Sequence, residues 1–366
     1  MRVLQCTKRS VTLLAAVCVA LTGCGESGPD VPFNPAGTTA DVEAVNATFA
    51  SPVFGSFSAF SQHFDAALGV APLVSTSAGA FNFRRATSGG ELRAAAVRNA
   101  QRVAALTPPV ANGSFSASTT AIPAEVAGKT FEYSGGSYVP TERTGAPANG
   151  VRFIIYGVNP VTLEPVEPLQ EVGYVQLTDL SGSSTRAARV VVVSGETTYL
   201  DYTVTATSTA SSGRVVVAGY VTDGTNQANV NLRSTVSEAA GLTLLYTLDV
   251  PARDVSIDLT MTTSGFDQQS GTIDIELGVS GPNGTVSMIG EFSETGGTLT
   301  VRVNGELFAT MASSGAGDLL ITGADGQPLS DQDAEALRNI FNITGEAFLS
   351  FDEMVMPAGA FLAPGV

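Results

Sequence analysis

Most of the chain after Lys129 alternates apolar and polar residues with a period of two. Successive side chains of a β-strand point to opposite faces, so the pattern predicts strands with one apolar and one polar face. Turn sequences such as Asp223-Gly224 and Asn304-Gly305 separate the strands at short intervals. Short connections favour antiparallel neighbours, so we expect a meander of hairpins. One of the clearest strands has the apolar set Val255, Ile257, Leu259 and Met261 between Asp254, Ser256, Asp258 and Thr260.

The predicted fold is α+β and mostly β, with an antiparallel domain over residues 129–366. An open sheet of a dozen or more strands is unusual, so we expect strong curling, toward a half-barrel or a closed barrel. Ser330 and Asp333 resemble a capping box ahead of an apolar run, which predicts a C-terminal helix near 331–343. This helix and an N-terminal helical region are expected to cover the apolar face of the sheet.

The N-terminal helical segment is predicted over residues 38–107. Thr38 is the expected N-cap, with Asp41 three residues on, and Pro52 should break the first helix into two. Residues 108–128, rich in Ser, Thr, Ala and Pro, are interpreted as a linker. The helical prediction depends on one apolar stripe with gaps of three and four residues, namely Val42, Val45, Phe49, Val53, Phe57, Phe60, Phe64 and Leu68.

This stripe has two interpretations. The phenylalanines either seal the apolar face of the sheet or form a lid over a cavity for an apolar ligand. The seal is favoured, because the stripe is continuous and few other apolar helices are available to cover the sheet.

A basic cluster lies within residues 84–102. Five arginines stand there against one acid, Glu91, in an otherwise acidic chain. A solvated helix face is the simplest interpretation. The alternative is that the cluster docks on the acidic remainder of the molecule or on an acidic partner. The five residues are Arg84, Arg85, Arg93, Arg98 and Arg102.

The first 24 residues have the organisation of a bacterial export signal. Three basic residues precede an apolar run at 11–21, which is too short to span a membrane. The run ends in Leu21-Thr22-Gly23-Cys24, which resembles the lipobox of bacterial lipoproteins. The resemblance implies that residues 1–23 are a signal peptide and that Cys24 becomes the acylated first residue of the mature protein.

The same resemblance implies a place in the cell. Gly25 follows Cys24 instead of the aspartate typical of inner-membrane retention, so the outer membrane is the favoured destination in a cell with two membranes. Two or more acyl chains anchor a protein durably, at about 0.8 kcal/mol per buried CH₂. Residues 24–37, rich in proline and without periodicity, are predicted to be a flexible tether.

Composition excludes several classes of function. Without Arg2, Lys8 and Arg9 the chain keeps 15 basic residues against 34 acidic ones, a net charge of −19, which disfavours nucleic acid as a partner. Cys6 and Cys18 leave with the signal and Cys24 is expected to be acylated, so no thiol remains for a disulfide or a zinc site. We therefore predict no cofactor.

No catalytic residue is predicted either. A nucleophilic serine needs an adjacent base, and beyond the signal the chain offers only His63 and Lys129. The sequence G-x-S-x-G does not occur, and nothing places a serine near either base.

Four carboxylates form the candidate metal site, on the predicted polar faces of two consecutive strands. Carboxylates within reach across strands can bind a hard cation such as calcium, or share a proton as the pair of a glycosidase does. An acidic chain with exposed strand faces produces such a set without any function, which is the simpler interpretation. The four are Asp254, Asp258, Asp274 and Glu276.

Taken together, these patterns predict an exported, lipid-anchored envelope protein without catalytic activity. Its role would be structural, in assembly with an envelope partner, or the carrying of an apolar ligand. The last option follows from a resemblance, at the level of fold only, to periplasmic half-barrels that carry lipoproteins. The alternatives are a secreted hydrolase with paired carboxylates and a calcium-binding β domain. A wide dry cavity between helices and sheet would favour carrying, and a filled core would favour a structural role.

Overall fold

The computed structural model describes residues 34–49, 51–64, 89–108, 120–237, 241–265, 271–293, 295–313 and 319–362. The signal sequence, Cys24 and most of the predicted tether lie outside these residues, as do Leu68, Arg84 and Arg85. The described residues include four α-helices: α1 Pro35–Thr48, α2 Pro52–His63, α3 Gly89–Leu106 and α4 Asp331–Leu362.

The described strands form one 15-stranded sheet. They are β1 Thr130–Ser134, β2 Ser137–Thr141, β3 Gly150–Tyr156, β4 Glu171–Asp179, β5 Arg186–Ser194, β6 Thr197–Ser208, β7 Ser212–Thr222, β8 Gln227–Ser237, β9 Gly241–Val250, β10 Val255–Ser264, β11 Thr272–Gly281, β12 Gly284–Ser293, β13 Gly296–Val303, β14 Glu306–Ser313 and β15 Leu320–Gly323.

The sheet is a curled, open meander. From β3 to β15 each strand pairs antiparallel with its neighbour in sequence, and only at the other end does β1 lie between β3, which it pairs in parallel, and the edge strand β2. The predicted class, mostly β with N-terminal and C-terminal helices on the apolar face, is confirmed.

The alternation of residues places one face of each strand in the core. On β10, Ile257 and Leu259 are buried at 1% and 2% exposure, whereas Asp258 between them is exposed. On β11, Ile275 and Leu277 are buried in the same way. The strand register continues this division across the sheet, because Ile257 pairs with Val279 and Leu259 with Leu277.

The N-terminal helices cover part of this apolar face. As predicted, they break at Pro52, where Ser51 precedes α2 in an extended conformation. The predicted N-cap Thr38 is wrong, because α1 begins three residues earlier at Pro35 and the side chain of Asn34 accepts a hydrogen bond from the Gly37 N–H at 2.9 Å. Proline is well suited to a first helical position, because the missing N–H has no helical acceptor there.

The C-terminal helix begins where the capping box predicted. The Asp333 N–H donates to Ser330 Oγ at 3.2 Å, and that hydroxyl donates to the Asp333 carboxylate at 2.7 Å. The predicted end near residue 343 is wrong, since α4 continues to Leu362. The physical reason is that the second half of α4 is buried on all sides and therefore carries no amphipathic pattern.

Part of the predicted linker also packs on the core. Ala121 and Ile122 are 7% and 3% exposed, and the Ile122 N–H lies 3.5 Å from the Asp179 carboxylate.

Candidate functional site: buried carboxylates of the C-terminal helix

The second half of α4 is enclosed by the rest of the fold. From Ile340 to Leu362 every residue is buried except Gly345 and Leu349, which are half-buried. The helix contacts α1, α2 and α3 and four strands, β5, β6, β7 and β11. It therefore fills the space between the sheet and the other helices.

Three acidic residues lie within this enclosed segment. Glu346, Asp352 and Glu353 are 3%, 7% and 7% exposed. Burying a carboxylate removes it from water, and the loss is large unless a partner compensates the charge. The surroundings of each carboxylate therefore decide its ionisation.

Asp352 has a basic partner on α3. Arg102 Nη1 lies 3.3 Å from Asp352 Oδ1 and donates a hydrogen bond to the Asp352 backbone carbonyl at 3.0 Å. Burial raises the pKa of Asp352, and the charges of Arg102 and Arg98 lower it in part.

Glu353 is placed differently. Adjacent helical residues point about 100° apart, and the charge of Glu353 acts on Tyr202 of β6. Within the described structure, neither carboxylate oxygen of Glu353 has a hydrogen-bond partner. Burial raises the pKa of Glu353 well above its usual range, and the negative charges of Glu346 and Asp352 raise it further. Both effects favour the neutral acid over the carboxylate.

Two tyrosines of the sheet belong to the same region. Tyr202 and Tyr246 are fully buried, and their hydroxyls have no hydrogen-bond partner in the described structure. Burial raises the pKa of both phenols, and the neighbouring charges add to the effect, Glu353 at Tyr202 and Glu346 at Tyr246. Such unsatisfied buried groups are few in native proteins and call for an explanation.

The backbone of α4 is also weakened at Glu353. Pro357 lies inside the helix and has no N–H. The carbonyl of Glu353, four residues earlier, therefore lacks its helical donor. Beyond this point the helix is held at its end by Arg186 of β5, which donates to the Leu362 carbonyl at 2.9 Å.

For one arginine of the basic cluster at residues 84–102, these contacts distinguish a solvated helix face from a docked one. Arg102 docks on an acidic residue of the same molecule, as one of the two predictions for the cluster stated. A second link joins α3 to the sheet, because the Ser234 hydroxyl of β8 donates to the Asn99 side chain.

The four predicted metal ligands are dispersed along the sheet. Asp254 is not in a strand: it follows a 3₁₀ turn at Pro251–Arg253 with a left-handed φ of 54°. Asp258 pairs with Gly278, so it is not opposite Asp274 or Glu276. Among the described residues, no group of three or more His, Cys, Asp or Glu side chains is placed to hold a metal ion.

Two of the four carboxylates do line a groove on the polar face. Its volume is about 470 Å³, and Asp274, Glu276 and Glu291 contribute to its lining. Asp274 lies directly opposite Glu291 in the strand register, an unfavourable arrangement of like charges.

The structure places the two candidate bases at the end of α2 and just before β1. His63 ends α2, with Nε2 3.7 Å from Glu164 Oε2 and its ring edge-on to Tyr133 at 5.5 Å. Lys129 is exposed just before β1.

The sequence reasoning did not select the carboxylates of α4. A signal was present, since Asp352-Glu353 interrupts the apolar run Ala347-Phe-Leu-Ser-Phe351 and Met354-Val-Met356. Charged residues within a long apolar run indicate burial with a specific partner or a raised pKa.

Comparisons with known proteins give no further guidance: no protein-family model, curated protein or solved structure matches this chain. No helix within the described ranges has the length and apolar character needed to cross a membrane.

Proposed function

We propose that this chain is a lipid-anchored protein of the bacterial cell envelope whose β domain serves as a structural or assembly module. A structural role is chosen because the apolar face of the sheet is already covered by helices of the same chain. Helix α4 fills it, and Phe341, Phe348 and Phe351 are each at most 1% exposed.

A carrier of apolar ligands needs a different interior. Ligand sites are concave, mostly apolar and usually several hundred Å³ in volume. Here the groove of about 470 Å³ opens on the polar face, and the space between α3 and the β10–β11 hairpin is about 20 Å³. The described helices thus take the position that a ligand would occupy in a carrier.

The polar face is the surface offered to a partner. Its strands present Thr, Ser, Asn and acidic side chains, and the chain beyond the signal has a net charge of −19 from 15 basic and 34 acidic residues. We propose an envelope protein as the partner and no nucleic acid, because phosphate would be repelled. Catalysis is not part of the proposal.

The anchor is proposed from the lipobox, with Cys24 as the acylated residue and the outer membrane as the destination. Cys24→Ser removes the thiol, so we expect unprocessed precursor or a soluble product. Cys18→Ser is the matched control, because that residue leaves with the signal and the variant should remain membrane-bound. Membrane retention of a processed Cys24→Ser chain after carbonate washing would contradict the proposed anchor.

The structural role is tested on protein extracted from its own envelope. Native mass spectrometry should show the acylated chain without a non-covalently bound lipid. A stoichiometric bound lipid that leaves on unfolding would overturn the structural role and support carrying. Because the attached acyl chains remain after unfolding, the experiment distinguishes anchor from cargo.

A further inference from the structure

We propose that residues 346–362 of α4 form a proton-controlled plug, seated in the sheet while Glu353 is a neutral acid and loosened when Glu353 ionises. This plug segment is defined by its enclosure: all its residues except Leu349 are buried. The proposal goes beyond the structural role, because it gives the filled core two states.

The first argument is the absence of compensation at Glu353. Both carboxylate oxygens lack a hydrogen-bond partner in the described structure. Arg102, which packs on this segment from α3, is engaged by Asp352. Ionisation of Glu353 would therefore place a second acidic charge beside Asp352 without a new partner, which is unfavourable inside a protein.

The charges around Glu353 support the same direction. On its own helix, Glu346 and Asp352 are both acidic and disfavour its ionisation. From β6 and β9 the facing titratable groups are phenols, Tyr202 and Tyr246, which are neutral. At the end of the segment, Arg186 of β5 is engaged with the Leu362 carbonyl.

The remaining charged groups of the packed elements have other surroundings. Asp41 of α1 accepts a hydrogen bond from Asn283, and His63 of α2 lies beside Glu164. Charged residues on β7 and β11 are exposed on the opposite face of the sheet, namely Arg214, Asp274 and Glu276.

The charged residues of α3 also have other surroundings. Arg98 and Arg102 act on Asp352. Arg93 lines the small space at the β10–β11 hairpin, and Glu91 is exposed.

The second argument is the break in the backbone ladder at the same residue. Pro357 cannot donate to the Glu353 carbonyl, so the plug segment has a weak point inside it. A helix opens most readily where its hydrogen bonds are already missing. Within the described structure, the carboxylate of Glu353 thus lacks a hydrogen-bond partner and its backbone carbonyl lacks its helical donor, so neither stabilises α4 at this position.

The sign of the pH effect follows from linkage. The pKa of Glu353 is raised in the folded chain, so its contribution to stability is complete below the ordinary pKa of 4.5. This contribution is lost as the pH rises from 4.5 toward the raised pKa of the folded chain. Over that range the equilibrium constant for opening increases by up to about tenfold per pH unit. Asp352 acts in the same direction, since its pKa is also raised, but from 3.8 and with Arg102 opposing the shift.

The test is hydrogen exchange measured by mass spectrometry on the whole protein between pH 4.5, the ordinary pKa of a glutamate, and pH 8.5. After correction for intrinsic exchange rates, peptides from 346–362 should open at least about tenfold more at the higher pH. Peptides from 331–340, in the first turns of α4, where one side of the helix is exposed, serve as the internal reference. In Glu353→Gln the increase should fall below about threefold, because the amide keeps the shape and cannot ionise.

Glu335→Gln is the matched control, since Glu335 lies on the same helix and is exposed. It should behave as the wild type. Equal pH dependence in Glu353→Gln and Glu335→Gln would overturn the proposal, and so would wild-type exchange at 346–362 that does not change with pH. The wild-type measurement needs no variant to fold, so the proposal is tested even if Glu353→Gln is poorly stable.

Discussion

Arg102 of α3 and Asp352 of α4 form a buried ion pair between segments 250 residues apart, with 3.3 Å between Nη1 and Oδ1. Their side chains are 8% and 10% exposed. Such a pair stabilises little compared with a well-packed apolar pair, but removal of one partner leaves an uncompensated charge in the core. The position of α3 on α4 therefore depends on both residues being present.

Arg102→Met tests this dependence. The substitution leaves Asp352 buried without its partner, so we expect the free energy of unfolding to fall by about 3–5 kcal/mol in urea denaturation. Arg214→Met is the control, because Arg214 is exposed on β7 and should change stability by less than about 0.5 kcal/mol. Arg102→Met combined with Asp352→Leu should recover much of the loss. Equal effects of the two single arginine variants would contradict a buried pair.

The two faces of the sheet give the second prediction. Ile257→Asp and Leu277→Asp place a carboxylate at positions that are 1% and 0% exposed, so each should cost about 4 kcal/mol or more. Asp258→Ser and Glu276→Ser, on the exposed face, should stay within about 0.5 kcal/mol of the wild type. Thermal melts of the four variants measure this, and similar sensitivity on both faces would refute a sheet buried on one side.

The strands were predictable because one face of the sheet lies in the apolar core and the other is in contact with water. Apolar and polar residues such as Ile257 and Asp258 alternate because one side chain lies in the core and the next in water. The alternation can therefore be recognised from the sequence alone. The start of α4 was predictable for a similar local reason, since Ser330 and Asp333 satisfy the helix terminus with their own side chains.

The end of α4 and its carboxylates were not predictable in the same way. A helix enclosed on all sides has no polar face, so the periodicity that marks a helix disappears after residue 343. The partner of Asp352 is a residue 250 positions away, and no local pattern identifies it. Of the four carboxylates that the sequence did suggest, Asp254 lies in a turn, and the register separates Asp258 from Asp274.

Phe60 decides between the seal and the lid for the N-terminal helices. Its ring is 1% exposed and lies 5.0 Å from Phe64, 5.0 Å from Phe153 and 5.6 Å from Tyr138, measured between ring centroids. These contacts join α2 to β2 and β3, so truncation leaves a cavity between helix and sheet. We expect Phe60→Ala to lower the free energy of unfolding by about 3–5 kcal/mol.

Gln62→Ala, on the exposed side of the same helix, is the control for this substitution and should be nearly neutral. Both variants are measured by urea denaturation of the whole chain. A ring that rests against a ligand instead of the sheet would be partly free in the unliganded protein, and its loss would cost little. Destabilisation by Phe60→Ala of less than about 1 kcal/mol would therefore refute the seal, and it would make an apolar ligand the better explanation of the phenylalanine stripe.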